Sequence, residues 1–279
     1  MTTFTTPESI AATLEVAGAQ VQINAGDRTD TVVRVEPIDP ASRKDLKVAE
    51  NTKVDFADGR LSIKTKTAGD KKGSVAISID LPAGSSLAAY VAYSTVQADG
   101  VFGASELHVA SGQVKLDQIG ALTANIASGD VTIGQIGGRA DVEGASFTMR
   151  IGEATGPVDF SSAGGHTWIG HAAADLTLGG ANADFDIDRA DGDVTVETAG
   201  GAIRIGRMTS GRARLKNASG DIEVGIGEGV AASLDVDSER GAVHNFVSSA
   251  GEPGRPSDAK VSVHARSRHG DITIQRAAS

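Results

Sequence analysis

The sequence has no cysteine. That excludes disulfides, thiol catalysis and cysteine-based zinc sites together. Aromatic residues are few: one Trp, two Tyr and seven Phe. The core must therefore be thin and largely aliphatic. No apolar run approaches the roughly 20 residues needed to span a bilayer. The opening stretch MTTFTTPESIAATLEV lacks the basic and apolar regions of a secretory signal. These features predict a soluble, cytoplasmic protein with no direct membrane insertion; export as part of a complex stays open. Acids outnumber bases, 36 to 26, for a net charge of −10. This argues against nucleic acid and anionic membrane surfaces as partners.

What the sequence has in quantity is glycine, 35 residues, and a repeat. From Ile136 to Gly225 it can be written in lines of eighteen: IGGRADVEGASFTMRIGE, ATGPVDFSSAGGHTWIGH, AAADLTLGGANADFDIDR, ADGDVTVETAGGAIRIGR and, after Met208, TSGRARLKNASGDIEVG. One column reads Ile151, Ile169, Ile187, Ile205, Val224; another reads Val142, Phe160, Leu178, Val196, Leu215. Apolar and polar positions alternate around both, the period of half-buried strands. A unit this short cannot bury its own apolar face and must stack on its neighbours. The expectation is an all-β, single-stranded parallel β-solenoid (β-helix) with 18-residue coils. Identical positions form ladders about one strand spacing apart.

Two small-residue columns carry further expectations. Ala145, Ala163, Ala181, Ala199 and Ala218 predict a tight corner or a close approach of two walls inside the core. Gly152, Gly170, Gly206 and Gly225 predict turns with positive φ. Asp188 interrupts the glycine column, and Asp tolerates that conformation better than most residues.

Outside the regular lines the pattern loosens. Residues 1–85 read as strands plus one short helix, SRKDLKVAEN, capped by Ser42. The spacer AGDKKG reads as a hairpin loop between strands 60–66 and 74–81. Regular coils are expected over 86–246, and a loop with a final strand over 247–279. The repeat continues in series through Ile222, Val243 and Ile272, with 248–260 as a Gly/Pro/Ser excursion. The whole chain, 1–279, reads as one domain.

The strand pair is followed by Gly59-x-Leu61-x-Ile63, then by the strand end IDLPAG (79–84). The units SGQVKL (111–116), SGDVTI (128–133) and SGDIEV (219–224) come after it. In these motifs the chain resembles the bacterial "putative adhesin" β-strand-repeat family, a toastrack-like domain of unknown function. The resemblance covers nearly the whole chain. It implies a β-solenoid with no established enzymatic activity and no catalytic residues to carry over.

Three chemistries could use these residues. A calcium β-roll needs carboxylates repeated in consecutive turns, whereas the relevant column reads Thr148, His166, Asp184, Ala202, Asp221. An Asp after Gly is expected instead to cap its own turn. A carbohydrate-active β-helix needs clustered carboxylates on one wall. The outward column Arg150, Trp168, Asp186, Arg204, Glu223 offers a cation–π pair and an ion ladder, which also serve strand register. The patch His166, Trp168, His171 lacks metal geometry, because His171 lies past the Gly170 turn.

No catalytic residue, metal site or cofactor is expected. The candidate binding surface is Arg150, His166, Trp168, Asp186, Arg204 and Glu223. The expected role is a non-enzymatic scaffold or protein-interaction module with an unidentified protein partner, possible homo-oligomerisation and an adhesin-like or envelope-associated setting. The alternative is a carbohydrate-binding or carbohydrate-active protein using the wall around Trp168.

Overall fold

The computed structural model describes residues 1–65, 73–247 and 260–277. The protein is all-β, with mostly parallel strand pairing and, among the described residues, one helix. It divides into two compact units, Met1–Gly138 and Arg139–Ser279.

The first unit contains β1 (Thr2–Thr5), β2 (Ala11–Ala17), β3 (Ala19–Gly26), β4 (Asp30–Pro37), α1 (Arg43–Asn51), β5 (Lys53–Ala57), β6 (Arg60–Lys64), β7 (Val75–Pro82) and the long winding segment β8 (Ser86–Ile136). Ser42 caps α1 as expected, its hydroxyl accepting from the Asp45 N–H at 3.3 Å. β2 pairs in parallel with both β6 and β8. β3 does the same with β7 and β8. Residues 11–26 are therefore inserted between two segments that follow one another in sequence.

The expected hairpin between 60–66 and 74–81 does not form. β6 has β5 and β2 on its two edges, and β7 has β4 and β3. With both edges taken, neither strand can pair with the other. Most of the spacer itself lies outside the described residues.

The second unit contains β9 (Ala140–Ala154), β10 (Val158–Ala172), β11 (Leu176–Ala190), β12 (Val194–Gly200), β13 (Ile203–Met208), β14 (Gly211–Ser219), β15 (Ile222–Ile226), β16 (Ala231–Ser238), β17 (Val243–Asn245), β18 (Lys260–His269) and β19 (Ile272–Arg276). Val158 pairs with Ala140 on one side and Leu176 on the other, and Leu176 pairs with Val194. The predicted columns are thus real neighbours. Ile151, Ile169, Ile187, Ile205 and Val224 are each fully buried, as are Val196 and Val194. Phe185 crosses between columns to meet Phe160 edge-on, with ring centroids 5.8 Å apart.

The alanine column is at a corner but not in the core: Ala145, Ala163, Ala181 and Ala199 are exposed. The inward residue at that corner is the one before. Ser162, Thr198, Asn217 and Ser267 are buried there. A small polar side chain suits the place because corner carbonyls need donors. The Thr198 hydroxyl donates to the Gly200 carbonyl at 2.6 Å, and Asn217 Nδ2 donates to Gly220 at 2.8 Å.

The glycine column is also there for a different reason than expected. Gly152, Gly170, Gly206 and Gly225 do not have positive φ, and neither does Asp188. What matters is close approach: a Cβ on Gly170 would stand 2.6 Å from the Gly152 carbonyl oxygen. The left-handed corner glycines are others, including Gly220 at φ 112°.

The largest departure is the strand order. β15 pairs with β19, and β19 pairs with β17. Likewise β14 pairs with β18, and β18 with β16. Residues 260–276 thus lie between 211–226 and 231–245, so the repeat does not run in series through Ile222, Val243 and Ile272. The excursion 248–260 falls almost wholly outside the described residues.

Candidate functional site

The predicted outward row sits on β9, β10, β11, β13 and β15. Its residues are in register: Arg150 with Trp168, Trp168 with Asp186, Asp186 with Arg204, and Arg204 with Glu223. Strand alternation puts all five on the face opposite the isoleucine column.

Arg204 organises the charged half. Its Nη1 lies 2.6 Å from Asp186 Oδ1 and 3.7 Å from Asp188 Oδ1, and its Nε is 3.9 Å from Glu223 Oε2. The Asp186 hydrogen bond raises the guanidinium pKa further above its ordinary value. Gln275 Nε2 donates to Glu223 Oε1 at 2.7 Å. The ladder is thereby extended to β19 by a residue the sequence reading did not include.

Trp168 is half-buried. Its ring lies over its own strand: a Cβ at Gly170 would stand 3.0 Å from Trp168 Cη2. Gly170 lies two residues further along β10, and its missing side chain leaves room for the ring. Among the described residues no cation–π contact joins Arg150 and Trp168, although they are register neighbours. Arg150 is exposed.

The two histidines part company, as their spacing implied. His166 is half-buried and in register with Thr148 and Asp184. His171 instead joins a carboxylate cluster that the sequence reading missed. Its Nε2 lies 2.8 Å from Asp191 Oδ2, and its Nδ1 3.7 Å from Glu153 Oε1. Arg189 Nη2 is 3.0 Å from Asp191 Oδ2, and the Thr209 hydroxyl donates to Asp191 Oδ1 at 2.5 Å. Burial raises the Asp191 pKa. Hydrogen bonds from Thr209, Arg189 and His171 more than reverse this and hold it at about 2. The signal was present in the columns, since Glu153, His171 and Arg189 share one. Asp191, however, comes from the following turn.

The turn aspartates bond between strands of different lines, not within their own turns. Asp221 Oδ1 accepts the Asp271 N–H at 2.8 Å, and Asp271 Oδ1 accepts the Ala242 N–H at 2.8 Å. Asp184 Oδ1 does the same for Ala202. These carboxylates are spent on the backbone. Among the described residues no group of three or more His, Asp or Glu is placed to hold a metal ion. No helix of the described residues is long and apolar enough to cross a membrane.

Fold and site together define a class: an all-β repeat protein of mostly parallel strands whose outward rows are charged ladders. The chain belongs to the Toastrack DUF4097 family, whose model matches residues 11–275. Among solved structures it is similar to a putative adhesin from Parabacteroides merdae, at 11% identity and TM-score 0.44 over 79% of this chain and 93% of that one. It is also similar to a putative adhesin from Parabacteroides distasonis, at 13% identity and TM-score 0.39 over 98% and 96% of the two chains. No curated protein matches it.

Proposed function

We propose that the chain is a non-enzymatic, adhesin-like scaffold that binds a protein partner through the outward row Arg150–Glu223. The observation that carries this reading is the fixed geometry of that row. Arg204 is held by three carboxylates, one of which, Asp186, is the register neighbour of half-buried Trp168. Trp and Arg are the side chains that most often dominate protein interfaces. Here Arg204 is already tied to Asp186 and the Trp168 ring already rests over Gly170, and side chains placed in advance lower the entropy lost on binding.

The scaffold itself is a single-stranded parallel solenoid with eighteen-residue coils at its centre. The pairings of Val158 with Leu176 and Phe185 with Ile203 support that coil length. The steps widen to nineteen at Val194 with Ala213 and Ile203 with Ile222. The reading takes 1–279 as one domain and places the protein in the cytoplasm or, through a carrier complex, at the envelope.

The test is an affinity pull-down from host lysate, wild type against Trp168→Ala and Arg204→Ala. Each enriched protein is then purified and titrated directly. Direct binding that both substitutions weaken supports the scaffold. A glycan array bound by wild type and lost in Trp168→Ala would replace it with the carbohydrate reading. Partners that bind both variants as tightly as wild type would remove the site from this row.

A further inference from the structure

The second unit has an open strand edge. Among the described residues β16 pairs only with β18, and β17 only with β19. Their far edges therefore leave alternate backbone N–H and C=O groups without a strand to bond them. The inward side chains are open as well. Leu234 and Val236 are half-buried, whereas their register neighbours Val263 and Ala265 are buried. Val243 is 43% exposed beside a fully buried Ile272, and Phe246 is 65% exposed. Leu234, Val236 and Val243 thus occupy core positions of the repeat that no described strand covers.

The strand already seated on β16 shows what chemistry β16 accepts. β18 lays Val263 and Ala265 beside Leu234 and Val236 on the inward side. On the outward side it sets His264 and Arg266 opposite Asp235 and Asp237, and Arg268 Nε lies 3.7 Å from Glu239 Oε2. A strand's side chains stand above and below the sheet, so both of its edges offer the same rows. Asp235 is bonded by Arg266 at 2.6 Å and by His264 at 2.9 Å. Asp237 has no ion-pair partner among the described residues, and the outward row of β16 carries no base. The corner adds a further requirement. A Cβ on Gly270 would strike the Gly220 carbonyl oxygen, and one on Gly241 the Gly270 oxygen. Whatever follows Gly241 in the stack must also be glycine.

We propose that this edge docks an extended segment of another protein, one that alternates apolar and basic residues around a corner glycine. The segment adds in parallel to β16 and β17, as peptides do on exposed sheet edges. Its apolar residues cover Leu234, Val236 and Val243, and its outward base meets Asp237. A second copy of this chain fits badly. When β16 pairs with β16 about a two-fold axis, the register that joins Leu234 of one copy to Val236 of the other sets Asp235 against Asp235. Like charges directly opposite across strands are destabilising.

The test uses the full-length chain and a labelled peptide with the sequence of residues 261–276, VSVHARSRHGDITIQR. A control peptide carries His264→Glu, Arg266→Glu and Arg268→Glu. Fluorescence anisotropy should show binding of the basic peptide, and binding of the control weaker by about tenfold or more. In the protein, Asp237→Lys and Val243→Lys lie at exposed positions and leave folding intact. Each should weaken the basic peptide by about threefold or more. Hydrogen exchange then locates the peptide. Slower exchange over 231–246, with 261–276 unchanged, is the expected result. Faster exchange over 261–276 would mean that the peptide replaces the resident strands, and it overturns the proposal. So does protection of 231–246 that grows with the protein's own concentration in the absence of peptide, which makes the occupant a second copy. Equal affinity for the two peptides, or no binding of either, overturns it too.

Discussion

Ile222 and Ile272 are in-register neighbours on β15 and β19, while Val243, much nearer to Ile222 in sequence, lies one strand beyond, against Ile272. The inserted segment is core and the strand outside it is not. Ile272 and Ile274 are fully buried, whereas Val243 is 43% exposed. Ile272→Ala should therefore cost about 2–5 kcal/mol, in the range of buried large-to-small substitutions. Val243→Ala should cost less than about 1 kcal/mol. Chemical denaturation measures both. A larger loss at Val243 would mean that the repeat runs in series after all.

Close stacking of backbones predicts a sharp contrast between two glycines. A Cβ on Gly220 would stand 2.3 Å from the Gly201 carbonyl oxygen, at a φ of +112°. Gly220→Ala should destabilise by about 2 kcal/mol or more, from strain and displacement combined. A Cβ on Gly26 would meet nothing within 4 Å. Gly26→Ala should be neutral or stabilising by up to about 1 kcal/mol. Melting temperatures of the two variants decide it.

Asp191 makes stability depend on acid pH. Its folded pKa of about 2 lies below the ordinary carboxylate value of 3.8. The stabilisation is fully present above the unfolded value and is lost as pH falls from about 4 towards 2. The shift corresponds to about 2 kcal/mol at most, reduced to about 1 kcal/mol by solvent screening at this partly exposed site. Asp191→Asn should lower stability at pH 7 by about that amount and flatten the decline between pH 4 and 2. Urea midpoints across that range give the result. An unchanged slope would show that the cluster contributes nothing.

Trp168 is the only tryptophan, so its emission reports the candidate wall without labelling. Gly170→Ala would bring a methyl group to 3.0 Å from the ring and 2.6 Å from the Gly152 oxygen. The emission spectrum should shift and stability should fall by about 1–3 kcal/mol, as in other overpacked sites. Arg204→Ala should leave the emission maximum in place and cost less than about 1 kcal/mol, since the ion pairs are solvent-exposed. Binding through this row would then be separable from folding.

The columns of the sequence were sufficient for the class of fold and for much of the site. Apolar residues recurring every second position, and lines recurring every eighteen, leave few ways to bury Ile151, Ile169 and Ile187 except on one another. The same spacing placed Arg150, Trp168, Asp186, Arg204 and Glu223 in one row, because register follows from periodicity wherever one face is buried. Periodicity says which residues are equivalent, but not which equivalents touch. Ile222 can be followed by Val243 or by Ile272, both of which carry the same pattern. Only the stacked chain shows that 260–276 enters between its neighbours, as 11–26 does in the first unit. The sequence likewise could not say where the small side chains of the corners point, since Ala and Gly fit equally well outside a bend and against a neighbouring backbone. Those choices depend on distances between strands far apart in the chain, which tertiary packing alone determines.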